Sequence, residues 1–211
     1  MLSATLPRRE NILLSRLRPT QLTVGMLEVK HKRKRLRALE KRPAELVDFI
    51  LEMPIRVVLG PAGKAYVIDH HHLALALLKE DFQTAPMEIE ADFSALGMKA
   101  FWKCMQRRHF VHLFDARSRP RPLRDLPKSL RQFEDDPYRS LAGFVRAAGG
   151  YVKTPQPFEE FQWADFFRQR IKKNWLRNDF DKALRKALHL AASKDAAKLP
   201  GYIAPQSRAR H

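Results

Sequence analysis

Apolar residues recur every three or four positions near the start of the chain, which predicts helices. The first predicted helix spans residues 27–41 and is densely basic. The second spans 43–53, because Pro43 suits the first position of a helix and an apolar face follows it. That face consists of Leu46, Phe49 and Ile50.

Two runs rich in β-branched residues follow at 55–59 and 65–68, and a Gly/Pro loop at 60–64 joins them. This arrangement predicts a β-hairpin. The loop lacks the glycine spacing and the Ser or Thr of a phosphate-binding loop, and it leads into a strand instead of a helix. We therefore predict a turn here and no nucleotide site.

The second strand of the hairpin runs into Asp69 and three histidines, and an apolar run at 73–78 follows them. This order predicts a strand, a capping aspartate and a helix. Beyond that helix the pattern predicts three more elements, a strand at 86–92, a helix at 94–108 and a strand at 110–114.

The second half of the chain is helical in pattern, beyond a Pro-rich boundary at 119–122. One helix is predicted to begin at Pro137 and a further helical segment to cover 157–192. The aromatic residues of that segment are predicted to form core, because their spacing fits a buried stripe: Trp163, Phe166, Phe167 and Trp175. The fold class is thus α+β, with an α+β domain over 1–119 and a helical C-terminal lobe over 120–211.

Charge changes the picture more than composition does. The 211 residues contain 45% hydrophobic and 30% charged residues, an ordinary globular composition, but their net charge is +17. Residues 1–42 carry +9, residues 43–99 carry −5 and residues 100–211 carry +13. The basic flanks favour a polyanionic partner, whether nucleic acid, nucleotide or an acidic surface.

The single cysteine, Cys104, excludes an intramolecular disulfide framework and suits a reducing compartment. The first residues reach Arg8 before any apolar run long enough for a signal peptide, and the last dozen resemble a tail. The run at 73–78 is far shorter than the roughly 20 residues that span a bilayer. We expect a cytoplasmic protein without a membrane partner, and its oligomeric state stays open.

The segment from Asp69 to His72 is the strongest candidate for chemistry. Backbone N–H groups and the positive end of a helix dipole at a strand-to-helix junction favour an anion such as phosphate. Histidines there can donate hydrogen bonds or transfer protons near neutral pH. The alternative is structural: Asp69 only caps the helix, and His70, His71 and His72 are partly exposed polar residues.

A zinc site is less well supported by the geometry. Successive helical residues diverge by about 100°, so the three histidines cannot all face one ion. His109 and His112 would face opposite sides of the predicted strand. A divalent metal such as Mg²⁺, shared by Asp69 and a bound phosphate, fits the pattern better.

These residues resemble the ParB/sulfiredoxin superfamily, specifically its ParB-like nuclease branch. The likeness rests on the hairpin, on the Asp-x-His-His motif and on the segment from Gly25 to Lys30, and it extends over about 19–171. Two stretches of the second lobe are also similar to that branch, at 136–143 and 157–167. The resemblance implies a small mixed sheet with helices, and a ligand that contains phosphate.

Related free serine kinases carry Asp-Gly-His-His-Arg, with an upstream glutamate as base. Here His70 replaces the glycine and Leu73 replaces the arginine, a phosphate clamp that Lys30 or Lys32 would have to supply. The cysteine that sulfiredoxin needs falls on His71, so sulfinic-acid reduction is not expected.

The resulting hypothesis is metal-assisted phosphoester hydrolysis or phosphoryl transfer on a nucleotide or nucleic acid. His70, His71 and His72 would bind the phosphoryl group, Asp69 would hold Mg²⁺, and Glu28 would accept the proton of the attacking hydroxyl or water. The catalytic set is then Glu28, Asp69, His71 and His72. Two alternatives remain: a basic DNA- or RNA-binding module without catalysis, and a small-molecule kinase.

Overall fold

A computed structural model describes residues 9–204 of the chain. The predicted absence of a signal peptide concerns the first residues, which lie outside the described part. Most of the predicted C-terminal tail lies outside it as well. No helix in the described part is long and apolar enough to cross a bilayer.

The described part of the chain forms two compact units. Of the described residues, the first comprises 9–23 together with Val29–Asp115 and Arg119–Glu134, and the second comprises Val24–Glu28, Ala116–Ser118 and 135–204. The units do not follow the predicted boundary at residue 119. The Pro-rich stretch belongs to the first unit, and Glu28 belongs to the second.

The described residues include six strands: β1 (Arg9–Leu13), β2 (Thr23–Val24), β3 (Ile55–Gly60), β4 (Lys64–Val67), β5 (Thr84–Asp92) and β6 (Glu134–Asp135). Four of them form a mixed sheet in the first unit, in the order β1-β5-β3-β4. Strands β3 and β5 are parallel, and the other neighbours are antiparallel. Strands β2 and β6 form a separate two-stranded sheet.

Eight α-helices occur between residues 9 and 204: α1 (Met26–Leu39), α2 (Pro43–Leu51), α3 (His71–Lys79), α4 (Met98–Arg107), α5 (Pro137–Ala147), α6 (Glu159–Arg168), α7 (Lys173–Asn178) and α8 (Phe180–Ala191). The α+β class and the small mixed sheet are therefore confirmed. The hairpin is also confirmed, since β3 and β4 pair across a tight turn in which Ala62 and Gly63 have positive φ.

Helix α3 fills the core of the first unit. Every residue from His71 to Leu78 is buried, and five of the six apolar ones have at most 1% of their surface exposed. A helix with apolar residues on all sides is stable only when other elements surround it. The helix links β4 to β5, the crossover that brings β5 parallel to β3.

The second unit is helical, as predicted, and has its own core. The aromatic stripe of α6 is buried there, with Trp163 and Phe167 fully enclosed. Tyr151 stacks on the Trp163 indole at 4.3 Å between ring centroids. Trp175, also predicted as core, is half-buried and packs against this cluster.

Two sequence predictions are wrong in detail. Residues 110–114 form no strand and make only isolated bridges, since Gln21 pairs with His112 and Phe114 pairs with Pro120. The helical segment predicted over 157–192 is three separate helices, α6, α7 and α8.

Candidate functional site

The junction between β4 and α3 brings Asp69 and the three histidines together in the first unit. The backbone of His70 is left-handed, with φ of 63°, and the helix begins at His71. The predicted cap is different in the structure, because Asp69 Oδ1 accepts a hydrogen bond from the His70 N–H at 2.7 Å. No side chain caps α3 at its N-cap position, His70.

The imidazoles of His71 and His72 lie inside the first unit. Only 5% of the His71 surface and 8% of the His72 surface is exposed. The Nε2 atom of His71 lies 3.4 Å from the Thr20 hydroxyl, and its ring meets Phe133 edge-on at 5.9 Å. Helix position accounts for this burial, because both residues share the first turn of an enclosed helix.

His70 differs from its two neighbours, because it is half-buried and its ring has a fixed orientation. Its Nδ1 atom lies 2.8 Å from the carbonyl oxygen of Pro54. A carbonyl can only accept, so Nδ1 carries the hydrogen in this contact. The neutral ring then has its lone pair on Nε2, the atom that can accept a proton. Asp69 beside it is also half-buried.

The basic helix α1 is tied to the opposite end of α3. Arg33 and Arg37 both bind the carboxylate of Glu80, the residue that ends α3, and the Arg37 Nε atom lies 2.6 Å from it. The hydrogen bond from Arg37 lowers the pKa of the Glu80 carboxyl. Lys30 is exposed and Lys32 is half-buried on the same helix. Their predicted contact with phosphate stays a prediction.

Glu28 belongs to the second unit, where its partner is an arginine that the sequence did not single out. Arg139 Nη1 donates to Glu28 Oε1 at 2.9 Å, and only 9% of the Arg139 side chain is exposed. Burial lowers the pKa of Arg139, but the charges of Glu28 and Glu160 outweigh it and the pKa is raised. The carboxylate of Glu28 packs against Gly143 so closely that a Cβ there would collide with it.

The predicted catalytic set is thus divided between two compact units. Asp69, His71 and His72 lie in the first, and Glu28 lies in the second. Their joint action stays a prediction. Between residues 9 and 204, no group of three or more His, Cys, Asp or Glu side chains could hold a metal ion. The one cysteine, Cys104, is a half-buried free thiol on α4.

Sequence reasoning missed three residues around these sites: Thr20, Pro54 and Arg139. Thr20 lies beside His71, and its hydroxyl donates to the Val67 carbonyl at 2.5 Å. Thr20 and Pro54 belong to no recognisable motif, and Arg139 lies in the stretch 136–143 that resembles the family without being singled out there. Arg139 does follow the Asp136-Pro137 helix start, and an arginine in the first turn of a helix is a weak signal of a tertiary ion pair, because the helix dipole disfavours a cation there.

Comparison with known proteins places the chain in a family. A family model described as "Putative ParB-like nuclease" matches residues 10–169. The crystal structure of protein Atu1540 from Agrobacterium tumefaciens is similar over 94% of this chain and 98% of that one, with 46% sequence identity and a TM-score of 0.87. A search of the curated proteins gave no match. Because the family model covers most of the chain, the protein belongs to this ParB-like family.

Proposed function

We propose that this ParB-like protein binds nucleic acid and hydrolyses a phosphodiester at the start of α3. The family match supports the class of substrate. The observation that carries the proposal is the contact between His70 Nδ1 and the Pro54 carbonyl at 2.8 Å. This contact directs the lone pair of the neutral ring to Nε2, on the residue that follows Asp69 and precedes α3.

Each group at this junction has a role in the proposed reaction. The first N–H groups of a helix lack partners within the helix and attract a phosphate. His70 Nε2 accepts the proton of the attacking water, whose oxygen bonds to phosphorus as the P–O bond to one sugar breaks, and the leaving sugar oxygen takes up a proton from solvent water. His71 and His72, whose rings are buried, act by holding the helix start in place. Glu28 is engaged by Arg139, so the proposal gives the role of base to His70.

A divalent cation fits the residues at the junction. Mg²⁺ binds through one or two carboxylates together with phosphate oxygens and water, and does not need a cage of protein ligands. Asp69 supplies one such carboxylate, half-buried and fixed by the His70 N–H. The bound cation would neutralise charge on the phosphodiester.

Cleavage of labelled DNA and RNA oligonucleotides, single- and double-stranded, tests the proposal when Mg²⁺ or EDTA is present. We expect cleavage that needs Mg²⁺ and falls at least tenfold in Asp69→Asn and in His70→Asn. Asparagine suits the left-handed backbone at residue 70, so the second substitution removes the ring without straining the turn.

Two controls use an aspartate and a histidine outside the junction, and the control histidine shares the left-handed backbone of His70. Asp81 and His109 are exposed and have positive φ, at 61° and 55°. Asp81→Asn and His109→Asn should cleave as fast as the unchanged protein. Cleavage that survives both site substitutions would place the reaction elsewhere. Binding without cleavage under every condition would leave only the second candidate function.

That second candidate is nucleic-acid binding without catalysis, and an exposed stripe on α8 favours it. The stripe consists of Lys182, Arg185, Lys186 and His189, at helical spacings of three and four. On the opposite face, Ala183 and Ala187 are fully buried in the second unit. A row of cations on one helix face can contact successive phosphates. Salt-dependent binding to DNA that weakens when the stripe's cations are reversed, without cleavage under any condition, would support this function.

A further inference from the structure

A cavity in the first unit, away from α3, combines positive charge with aromatic rings. Its volume is about 330 Å³, and it lies beside β4 and α4. The polar and aromatic residues around it are Arg18, Lys64, Tyr66, Trp102, Arg124 and Lys128. Among the described residues that line this cavity, none is acidic. The remainder of the lining is Pro and Leu.

Arg18 is built into one wall of the cavity. Its N–H donates to Ala65 and its carbonyl accepts from Val67, both at 2.9 Å, so its backbone is joined to β4. Its guanidinium donates to the carbonyl oxygen of Lys128, which ties the 123–128 segment to the same wall. The positive charge of Arg18 also acts on Tyr66. Burial raises the pKa of the Tyr66 hydroxyl, and the charge of Arg18 lowers it by a smaller amount.

The other three cations are exposed at the rim. Lys64 and Lys128 are exposed, and 85% of the Arg124 side chain is exposed. Arg124 approaches Asp125 only at 4.0 Å, whereas Arg121 binds the same carboxylate at 2.6 Å. The positive charge of these side chains is therefore available to an anion.

The aromatic wall is rigid and partly exposed. Trp102 on α4 is half-buried and meets Tyr66 edge-on, with ring centroids 5.3 Å apart. Phe101 packs against both rings, at 4.7 Å from Tyr66 and 4.9 Å from Trp102. Contacts on this side fix the indole, and it still lines the cavity. A fixed aromatic side chain next to cations is typical of sites that stack a base and bind its phosphate.

We propose that this cavity binds one nucleotide unit. The base stacks on Trp102, and the phosphate lies among Lys64, Arg124 and Lys128. Cations alone would accept any anion, and an aromatic wall alone would accept any flat ligand, so the combination selects an aromatic base that carries phosphate. The unit is either a free nucleotide or a nucleotide of a single strand. The second source rests on the nucleic-acid binding proposed above.

Tryptophan fluorescence of the full chain tests this site. The probes are the four ribonucleoside 5′-monophosphates, adenosine, inorganic phosphate and a ten-nucleotide single-stranded DNA. We expect a saturable decrease in emission with the monophosphates or the oligonucleotide, and at least tenfold weaker binding of adenosine and of phosphate. Trp163 and Trp175 lie in the second unit, so the decrease should vanish in Trp102→Phe.

Charge reversal distinguishes binding by the cations of this cavity from attraction by the net charge of the protein. Lys64→Glu with Lys128→Glu should weaken binding at least tenfold, and both residues are exposed, so the fold should tolerate the change. The control is Lys99→Glu with Lys103→Glu, an equal charge change at exposed residues of α4 outside the cavity. The control should stay within twofold of the unchanged protein.

Each result of the fluorescence titrations leads to a different conclusion. A decrease with monophosphates assigns the site to free nucleotides, and a decrease with the oligonucleotide alone assigns it to a single strand. No decrease with any probe overturns the proposal, as does equal weakening in the control, or phosphate binding as tight as the monophosphates. Asp69→Asn should leave this fluorescence change intact, so loss of cleavage there and loss of binding here are separate results.

Discussion

The ion pair between Glu28 and Arg139 shows how a residue predicted to be catalytic can be needed for stability. Arg139 keeps its charge in a buried position because Glu28 lies 2.9 Å away, with Glu160 at 3.7 Å. Removing one partner of such a pair leaves an uncompensated buried charge, which costs more than the pair contributes. Glu28 therefore supports the fold of the second unit whatever else it does.

Glu28→Ala should lower the free energy of unfolding by about 3 kcal/mol, because it leaves the Arg139 guanidinium with only the more distant Glu160. Urea denaturation measures this loss. The double variant with Arg139→Met should lose less than the sum of the two single variants, since no unpaired charge remains.

Glu45 provides the control for this prediction. Its ion pair with Arg42 is exposed, with 54% and 59% of the side chains accessible, so Glu45→Ala should cost less than about 1 kcal/mol. If Glu28→Ala were as stable as Glu45→Ala, the ion pair would have no structural role, and the prediction that Glu28 acts as a base would gain support.

The sequence could identify Glu28 but not what it binds. Its partner is 111 positions away in the chain, and no local pattern links the two. The burial of His71 and His72 was not predicted either, since the structural alternative had them partly exposed, whereas only 5% and 8% of their surface is exposed. The two residues lie in the first turn of a helix whose apolar run, Leu73 to Leu78, is enclosed on all sides, and they are buried with it.

At the scale of elements, Glu80 connects α1 to the end of α3. Hydrogen bonding from Arg37, with a further contribution from Arg33, lowers the pKa of this carboxyl in the folded protein. The unfolded state then binds the proton more tightly, so the contribution of Glu80 to stability is complete above the unfolded pKa of about 4.3. It is lost as the pH falls through the folded pKa.

Glu80→Gln should therefore reduce stability at pH 7 and flatten its decline below about pH 4.3. Thermal unfolding between pH 7 and pH 3 measures both effects. Glu45→Gln, at an exposed ion pair, should change the stability at pH 7 by less than about 1 kcal/mol. If the stability of Glu80→Gln and that of the unchanged protein declined in parallel as the pH falls, the ion pairs of Glu80 would not contribute to the acid sensitivity of the fold.

The N-terminal caps of α5 and α8 should differ in strength. Asp136 accepts from the N–H groups of Tyr138 and Arg139 at 3.0 and 3.3 Å, and from Arg168 Nη2 at 2.6 Å, with 2% of its side chain exposed. Burial raises the pKa of Asp136, and the charge of Arg168 offsets part of that rise. Asp179 is exposed, and its side chain caps α8 with one hydrogen bond, which it accepts from the Lys182 N–H at 3.0 Å.

Asp136→Ala should cost about 3 kcal/mol, since it removes the cap and the buried partner of Arg168, whose remaining ion pair is with the half-exposed Asp165. Asp179→Ala should cost about 1 kcal/mol, the value of an exposed cap. Denaturant unfolding of both variants measures the difference. Equal losses would mean that the ion pair of Asp136 adds nothing to its cap.

Local signals explain which elements could be predicted. Pro43 and Asp136-Pro137 mark helix starts, and the Gly/Pro turn marks the hairpin, so α2, α5, β3 and β4 follow from the sequence. The break between α6 and α7 has no Gly or Pro at 169–172. A tertiary contact holds it, since the Tyr138 hydroxyl donates to the Ile171 carbonyl at 2.7 Å. Pattern alone cannot show such a contact.

For the whole molecule, the net charge of +17 makes binding to any polyanion depend on salt, so affinity at one salt concentration cannot separate a specific surface from general attraction. The slope of affinity against salt can separate them. Each duplex phosphate that the protein contacts contributes about 0.9 to the slope. Only side chains that touch phosphates affect it strongly.

Reversing the charge of the α8 stripe should therefore make the slope of affinity for duplex DNA against salt shallower by about 2, if two or three of its cations contact phosphates. The variant is Lys182→Glu with Arg185→Glu and Lys186→Glu, and fluorescence anisotropy across a range of salt concentrations gives the slope. The control reverses three exposed cations of α4, Lys99, Lys103 and Arg107, with the same change in net charge. Because the net charge of the two variants is equal, a shallower slope in the first alone identifies α8 as a contact surface. Equal slopes in the two variants would mean that the stripe binds no phosphate and that the attraction comes from net charge.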